Sequence, residues 1–244
     1  VEKELIIRTG ITDKSKVKIV GMPRLDKLIC QDKNFKIKKK FKKVITLISF
    51  HKDLNTSASI TPRTINLKRI DLSKVWEYMH NLFHELAAEY PDYLFCVKTK
   101  GNNKDLENLK YLSNKNSCGN FKIFHGGSLN EIILKSDLIC GLHSTALLEA
   151  MAVKKPILIQ LDTEIKKYSD NFIDFGKTVN YCTSKEDLRQ TIESFCLKGS
   201  LKIKPLASQQ KKLIKSWLGN VDGNSGNRAM HEIKKVVERY EKRT

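Results

Sequence analysis

The stretch SDLICGLHSTALLEAMAVKKPILIQL, residues 136–161, sets two apolar runs on either side of a His-Ser-Thr triplet and a helical segment. Short apolar runs bounded by turn residues read as buried parallel strands, and DLICG (137–141) and PILIQL (156–161) both qualify. Between them Ala146, Leu147, Ala150 and Met151 recur at helical spacing, so 144–153 is a helix that packs on the sheet. The unit is strand, helix, strand, with Lys155-Pro156 ending the helix before the second strand. A helix start at the end of a strand points unpaired N–H groups and a partial positive charge into the crevice. That is a phosphate site, to which Ser144 and Thr145 add hydroxyl donors and His143 a ring N–H. Glu149 follows one turn beyond Thr145 on the same face, where a carboxylate can accept from ribose hydroxyls. The bare pattern fits equally a plain N-cap serine and a solvated glutamate.

The rest of the chain repeats the alternation. Strands are expected near VKIVG (17–21), VITLISF (44–50), YLFCVK (93–98), FKIFH (121–125) and KTVNYC (177–182). Helices are expected at 73–90, with Trp76, Met79, Leu82, Phe83 and Leu86 as its stripe, and at 128–135, 184–197, 206–218 and 226–242. This order predicts an α/β fold: a Rossmann-like three-layer αβα domain with a mostly parallel sheet. The stretch 51–72 has no clear period and follows a strand, so it is an active-site loop or an insertion. KIKKKFKK (36–43) reads as a solvated amphipathic turn before a strand, and GNVDGNSGN (219–227) as a connection between helices.

Composition narrows the function classes. Lys plus Arg number 45 against 27 acidic residues, giving a net charge of +18. Only 8 of the 45 are Arg, and an excess dominated by Lys suits a generally cationic surface better than bidentate readout of bases. Attraction to a nucleotide, a phosphorylated acceptor or an acidic lipid surface follows. Six cysteines without a CxxC pair read as reduced core residues of a cytosolic protein. No signal peptide opens the chain, and no apolar run is long enough to span a membrane. The first residue is Val, which is expected of a piece excised from something longer.

Three segments resemble one family. LLEAMAVKKP, preceded by a serine–threonine pair, is similar to the phosphate-binding turn and helix in the C-terminal domain of GT-B glycosyltransferases. VKIVGMPRLDKL (17–28) resembles the "GxPRxD" segment of CDP-glycerol glycerophosphotransferases and bacterial surface-carbohydrate transferases, where it marks the passage into the nucleotide-binding domain. EYPDYLFCVKTKG (89–101) resembles their strand that ends in a basic side chain, and WLGNVDGNSGNRAMHEI (217–233) their ending. The resemblance implies an inter-domain segment (1–26), a nucleotide-sugar-binding domain (27–225) and a C-terminal helix (226–244) packing back toward an N-terminal GT-B half. It implies that Lys98, His143, Ser144 and Thr145 hold the donor's phosphates and Glu149 its ribose. The position eight before Glu149 is Gly141, where retaining members often carry a glutamate, so that mechanism is not implied.

The expected function is that of the donor-binding half of a metal-independent glycosyltransferase. It would move a sugar from a nucleotide-activated donor to a bacterial surface polysaccharide, capsule or lipid-linked acceptor, and be inactive as this piece alone. The chain would be cytoplasmic, with peripheral contact at the anionic inner face of the membrane. The nucleotide-sugar is substrate, and no cofactor, metal or nucleic acid is implied. A CDP-glycerol-type glycerophosphotransferase, a UDP-sugar 2-epimerase and a basic nucleic-acid module are the alternatives. Arg24 and Asp26 are expected to form an ion pair fixing the linker. His51 and His125 follow strands and are weak catalytic candidates. His80 and His84 stand four apart on a helix with no third ligand apparent.

Overall fold

The computed structural model describes residues 2–32, 40–55, 69–99, 103–114, 119–142, 144–166, 173–201 and 207–242. Six parallel strands form the main sheet: β1 (Lys43–Ile48), β4 (Tyr93–Lys98), β5 (Phe121–Phe124), β6 (Leu138–Gly141), β7 (Ile157–Gln160) and β8 (Asn180–Cys182). The remaining two, β2 (Asp53–Asn55) and β3 (Arg69–Asp71), pair antiparallel as a separate ribbon. In space the sheet runs β5-β4-β1-β6-β7-β8, so the chain winds outward from β1 in one direction, returns, and winds outward in the other. The reversal falls between β1 and β6, where open α/β sheets bind ligands beyond the carboxyl ends of their strands.

Helices cover both faces, as the continuous apolar strands require. On one face, α3 (Ser73–Glu89), α4 (Asn103–Asn114) and α8 (Lys185–Lys198) enclose Ile45, Leu47, Phe95, Val97, Cys140 and Leu158. The predicted α3 stripe of Trp76, Met79, Leu82, Phe83 and Leu86 is buried throughout, and Phe83 meets Phe95 edge to face at 5.8 Å. On the other face, α2 (Asp26–Asp32), α5 (Leu129–Lys135), α6 (Thr145–Ala152) and α9 (Ala207–Leu218) enclose Ile48, Ile139, Ile157 and Ile159. Short helices α1 (Glu2–Arg8) and α7 (Thr163–Lys166) and the long terminal α10 (Ser225–Glu241) complete the chain. Asn120, fully buried, donates its amide to the carbonyls of Ala87, Tyr90 and Tyr93, tying the end of α3 to the start of β4.

Two expectations about elements fail. Residues 17–21 are not a strand: Gly21 has φ +90, and the Val20 carbonyl is taken at 2.9 Å by Arg228 Nε of α10 rather than by a neighbouring strand. The expected strand 177–182 shortens to β8 because Gly176–Thr178 turns as a 3-10 helix. The tract 51–72, read as an active-site loop or an insertion, contains the β2–β3 ribbon, and residues 56–68 lie outside those described, as do 33–39, which include the first half of the lysine run. Cys96, Cys140, Cys182 and Cys196 are buried free thiols and Cys30 is an exposed one, while Cys118 lies outside the described residues. Among the described residues no helix is long and apolar enough to cross a membrane.

Candidate functional site

At the end of β6 the chain passes through Gly141 and Leu142 into α6. A methyl on Gly141 would stand 3.3 Å from Leu147 Cδ2, so the small residue lets α6 close against the strand it follows. Ser144, in extended backbone, caps the helix: its Oγ accepts from Ala146 N at 3.2 Å and its carbonyl from Leu147 N at 3.0 Å. Those bonds use the oxygens and leave the hydroxyl proton to be donated outward. Thr145 is exposed at the helix start, beyond the carboxyl end of β6, one of the two strands that border the reversal of strand order. His143, expected in the same turn, lies outside the described residues.

Glu149 is not the solvated helix position that the pattern allowed. It is 4 % exposed, and its Oε1 takes Arg24 Nη2 at 2.5 Å. Burial raises the Glu149 carboxyl above its ordinary range, and the Arg24 charge pulls it back only in part. The expected Arg24–Asp26 pair is therefore replaced by two longer connections. Arg24 reaches the helix of the candidate phosphate site, while Asp26 accepts from Ser225 N at 3.1 Å and Gly226 N at 2.7 Å, capping α10. Desolvation would raise the Asp26 carboxyl, but those two N–H groups, the Ser225 hydroxyl and Arg228 outweigh it and hold it below its usual value. Arg228 completes the lock through the Val20 carbonyl and, at 2.7 Å, Asp222. The segments GMPRLD, LLEAMA and DGNSGNRAM, far apart in sequence, thus meet at one corner of the domain.

The other candidates lie along the same edge but on the β1 side. Lys98 ends β4 and donates Nζ to the carbonyls of Gly126 (2.9 Å) and Thr99 (3.1 Å). Desolvation lowers its pKa, and two of its three protons are already engaged, one by the β5–α5 turn and one by the residue that follows β4. His125 directly follows β5 and is joined to Lys98's neighbour by a 3.1 Å contact between Nδ1 and Thr99 Oγ1. His51 is half-buried just beyond β1. With strands about 4.8 Å apart, Lys98 and His125 stand roughly 10 and 14 Å along the edge from β6. They border the same crevice as α6 without touching it.

A pairing that sequence reasoning missed lies beneath the edge. His80 Nδ1 donates to the Trp76 carbonyl at 2.5 Å, which makes Nε2 the acceptor for the Ser49 hydroxyl at 3.0 Å. Burial lowers the His80 pKa to about 4, helped by Lys52 and opposed by the Trp76 carbonyl, so the ring is neutral. Ser49 N donates to the Lys98 carbonyl, so this pair fixes the end of β1 against β4. The spacing of His80 and His84 suggests a shared face, yet His84 packs edge-on to Phe121 while both His80 nitrogens are engaged elsewhere.

Neither protein-family models nor curated protein sequences match the chain. Solved structures do. The wall teichoic acid polymerase TagF superposes with a TM-score of 0.57 at 17% identity, covering 98% of this chain and 56% of that one. MnaA of S. aureus, solved with UDP, gives 0.52 at 16% identity over 97% and 58%. The UDP-GlcNAc 2-epimerase of Neisseria meningitidis, bound to UDP-GlcNAc, gives 0.50 at 15% over 95% and 58%. The chain thus spans little more than half the length of each. At such identities the likeness establishes the fold, the Rossmann-like α/β architecture found in these GT-B-type enzymes.

Proposed function

We propose that the chain is the donor-binding half of a glycosyltransferase that moves a sugar from a nucleotide-activated donor to a bacterial surface polysaccharide or lipid-linked acceptor. The observation that carries this reading is the Ser144–Thr145 helix start at the carboxyl end of β6, beside the reversal of strand order. There the donor's diphosphate accepts from helix N–H groups and from the two hydroxyls, with His143, the residue before Ser144 in sequence, as a further donor. Glu149, held by Arg24, accepts from the ribose, and Lys98 adds positive charge from the β4 end. Negative charge growing on the leaving nucleotide is met by the amino end of α6, fixed in place before the reaction begins. The base that activates the acceptor is supplied by the other half. Nucleotide ligands in the S. aureus and N. meningitidis structures support a nucleotide-sugar partner. On this reading the chain works in the cytoplasm, in peripheral contact with the inner face of the membrane.

Isothermal titration of UDP and CDP into the wild type and into Ser144→Ala/Thr145→Ala tests the site. Loss of two hydroxyl contacts weakens binding by about 1–3 kcal/mol; equal affinities overturn the assignment. A second reading is favoured by the likeness to 2-epimerases. Product analysis with and without acceptor separates the two, since epimerisation needs none. Steeply salt-dependent DNA binding without nucleotide preference would instead point to a basic nucleic-acid module.

A further inference from the structure

Beyond the carboxyl end of β1, α3 and α4 border a concavity of about 540 Å³, within the range of small-molecule sites. Lys52, Trp76, Glu77, Asn81, His84 and Glu85 line it. Glu77, Asn81, His84 and Glu85 follow one another at helical spacing, so α3 presents a polar stripe opposite the one that packs on the sheet. Two buried atoms in this lining, Trp76 Nε1 and His84 Nε2, find no hydrogen-bond partner among the described residues. Trp76 is 4 % exposed, and a buried indole N–H is ordinarily satisfied. Its ring is already held in place: His80 stacks on it with centroids 4.0 Å apart, and Lys52 Nζ lies 4.3 Å from its centroid.

From this lining we infer a saccharide-binding site between α3 and α4, taking a neutral polyhydroxy ligand rather than an anion. The indole N–H requires an acceptor, the Glu77 carboxylate requires a donor, and the Asn81 amide and His84 Nε2 serve either role. Every hydroxyl group of a saccharide supplies both from one atom, whereas a phosphate offers chiefly acceptors and brings negative charge. The charge agrees. Lys52 is offset by Glu77, and Glu85 is already paired with Arg189 at 2.6 Å, so the cavity is nearly neutral on a chain of net charge +18. An anion would find stronger attraction almost anywhere else on this surface. The orphaned atoms carry the inference whether or not α6 binds nucleotides.

The chain has two tryptophans, so a ¹⁵N-labelled Trp217→Phe protein reports Trp76 Nε1–H as its one indole resonance. It is titrated separately with neutral disaccharides of glucose, galactose and N-acetylglucosamine, with inorganic phosphate and with UDP. A saturable shift with at least one disaccharide, and none with phosphate, is expected. Asn81→Ala and Glu77→Ala, at half-buried and exposed positions that leave the fold intact, weaken that binding by about five- to tenfold. A resonance unmoved by every disaccharide, one moved equally by phosphate, or affinities unchanged in both variants overturns the site. UDP reports on α6 in the same spectra through backbone amides at 144–149, so failure of either site is seen independently of the other.

Discussion

At Gly21 a methyl group would stand 2.5 Å from Ser225 Oγ and 3.0 Å from the Asn220 carbonyl, on a backbone at φ +90 that side chains rarely adopt. Gly21→Ala is therefore expected to cost about 1–3 kcal/mol, more than an ordinary surface change, in chemical unfolding. Arg24→Ala acts differently, by removing the charge that faces buried Glu149. Glu149 already has a raised pKa, and without Arg24 it rises further. The folded protein then binds a proton more tightly than the unfolded chain. The loss of stability is accordingly greatest well above that pKa and fades as pH falls toward the unfolded value of about 4.3. At neutral pH the loss is about 1–2 kcal/mol, below that of a fully buried pair because the Arg24 side chain is 59% exposed. Thermal unfolding between about pH 7.5 and pH 5 checks the sign, and a loss that grows on acidification would refute it. The sequence makes Ser144, Thr145 and Glu149 visible because they lie within about a turn and a half of one another. It hides the reach of Arg24 across 125 positions and the Ser49–His80 contact, since nothing local marks which distant side chain fills a buried partner's need.

Among the elements, those with a strong apolar period were legible. The β6–α6–β7 unit and α3 fall within two residues of their expected limits because burial on one or both faces writes a clear pattern. Helix α4 escaped notice: its Leu106, Leu109 and Leu112 are three apart amid Asn, Lys and Glu, and only one narrow edge meets the core. The tract 17–21 carried the apolar composition of a strand, but hydrogen-bond partners rather than composition decide a strand, and Arg228 claims one of its carbonyls. Asp26 shows the same dependence on distant partners by capping a helix that begins 199 residues later. Asp26→Ala is expected to cost about 0.5–2 kcal/mol, as loss of an N-terminal cap does. Its carboxyl is held below the ordinary range, so the stability it contributes is present above the unfolded pKa and is lost as pH falls through the lowered one. Wild type and variant should therefore converge in strongly acidic solution, and a gap independent of pH would show that Asp26 acts by packing alone.

For the whole molecule the decisive surface is α10. Its amino end is locked to the domain by Asp26 and Arg228, yet Met230, Ile233, Val236, Val237 and Tyr240 along its length are exposed by 49–73%. Five large apolar side chains on one face of a 17-residue helix form a patch that a free-standing surface rarely carries. The chain spans 56–58% of its structural neighbours, and the function proposed above has the donor-binding half close on a second half. We therefore expect the stripe to cover part of a second half, and this chain alone to bind its donor without transferring it. Ile233→Asp/Val236→Asp provides the mechanical test. On this chain the change should leave stability within about 0.5 kcal/mol and nucleotide affinity unaltered, since those side chains support nothing here. In a protein carrying both halves the same change should lower transfer from a radiolabelled donor, because the cleft closes less often. Turnover by the 244-residue chain at a rate near that of the two-half protein would sink this reading. The reaction would then need a base from within the domain. His51 and His125, which follow β1 and β5 at the edge where the donor is expected, would be the first to replace.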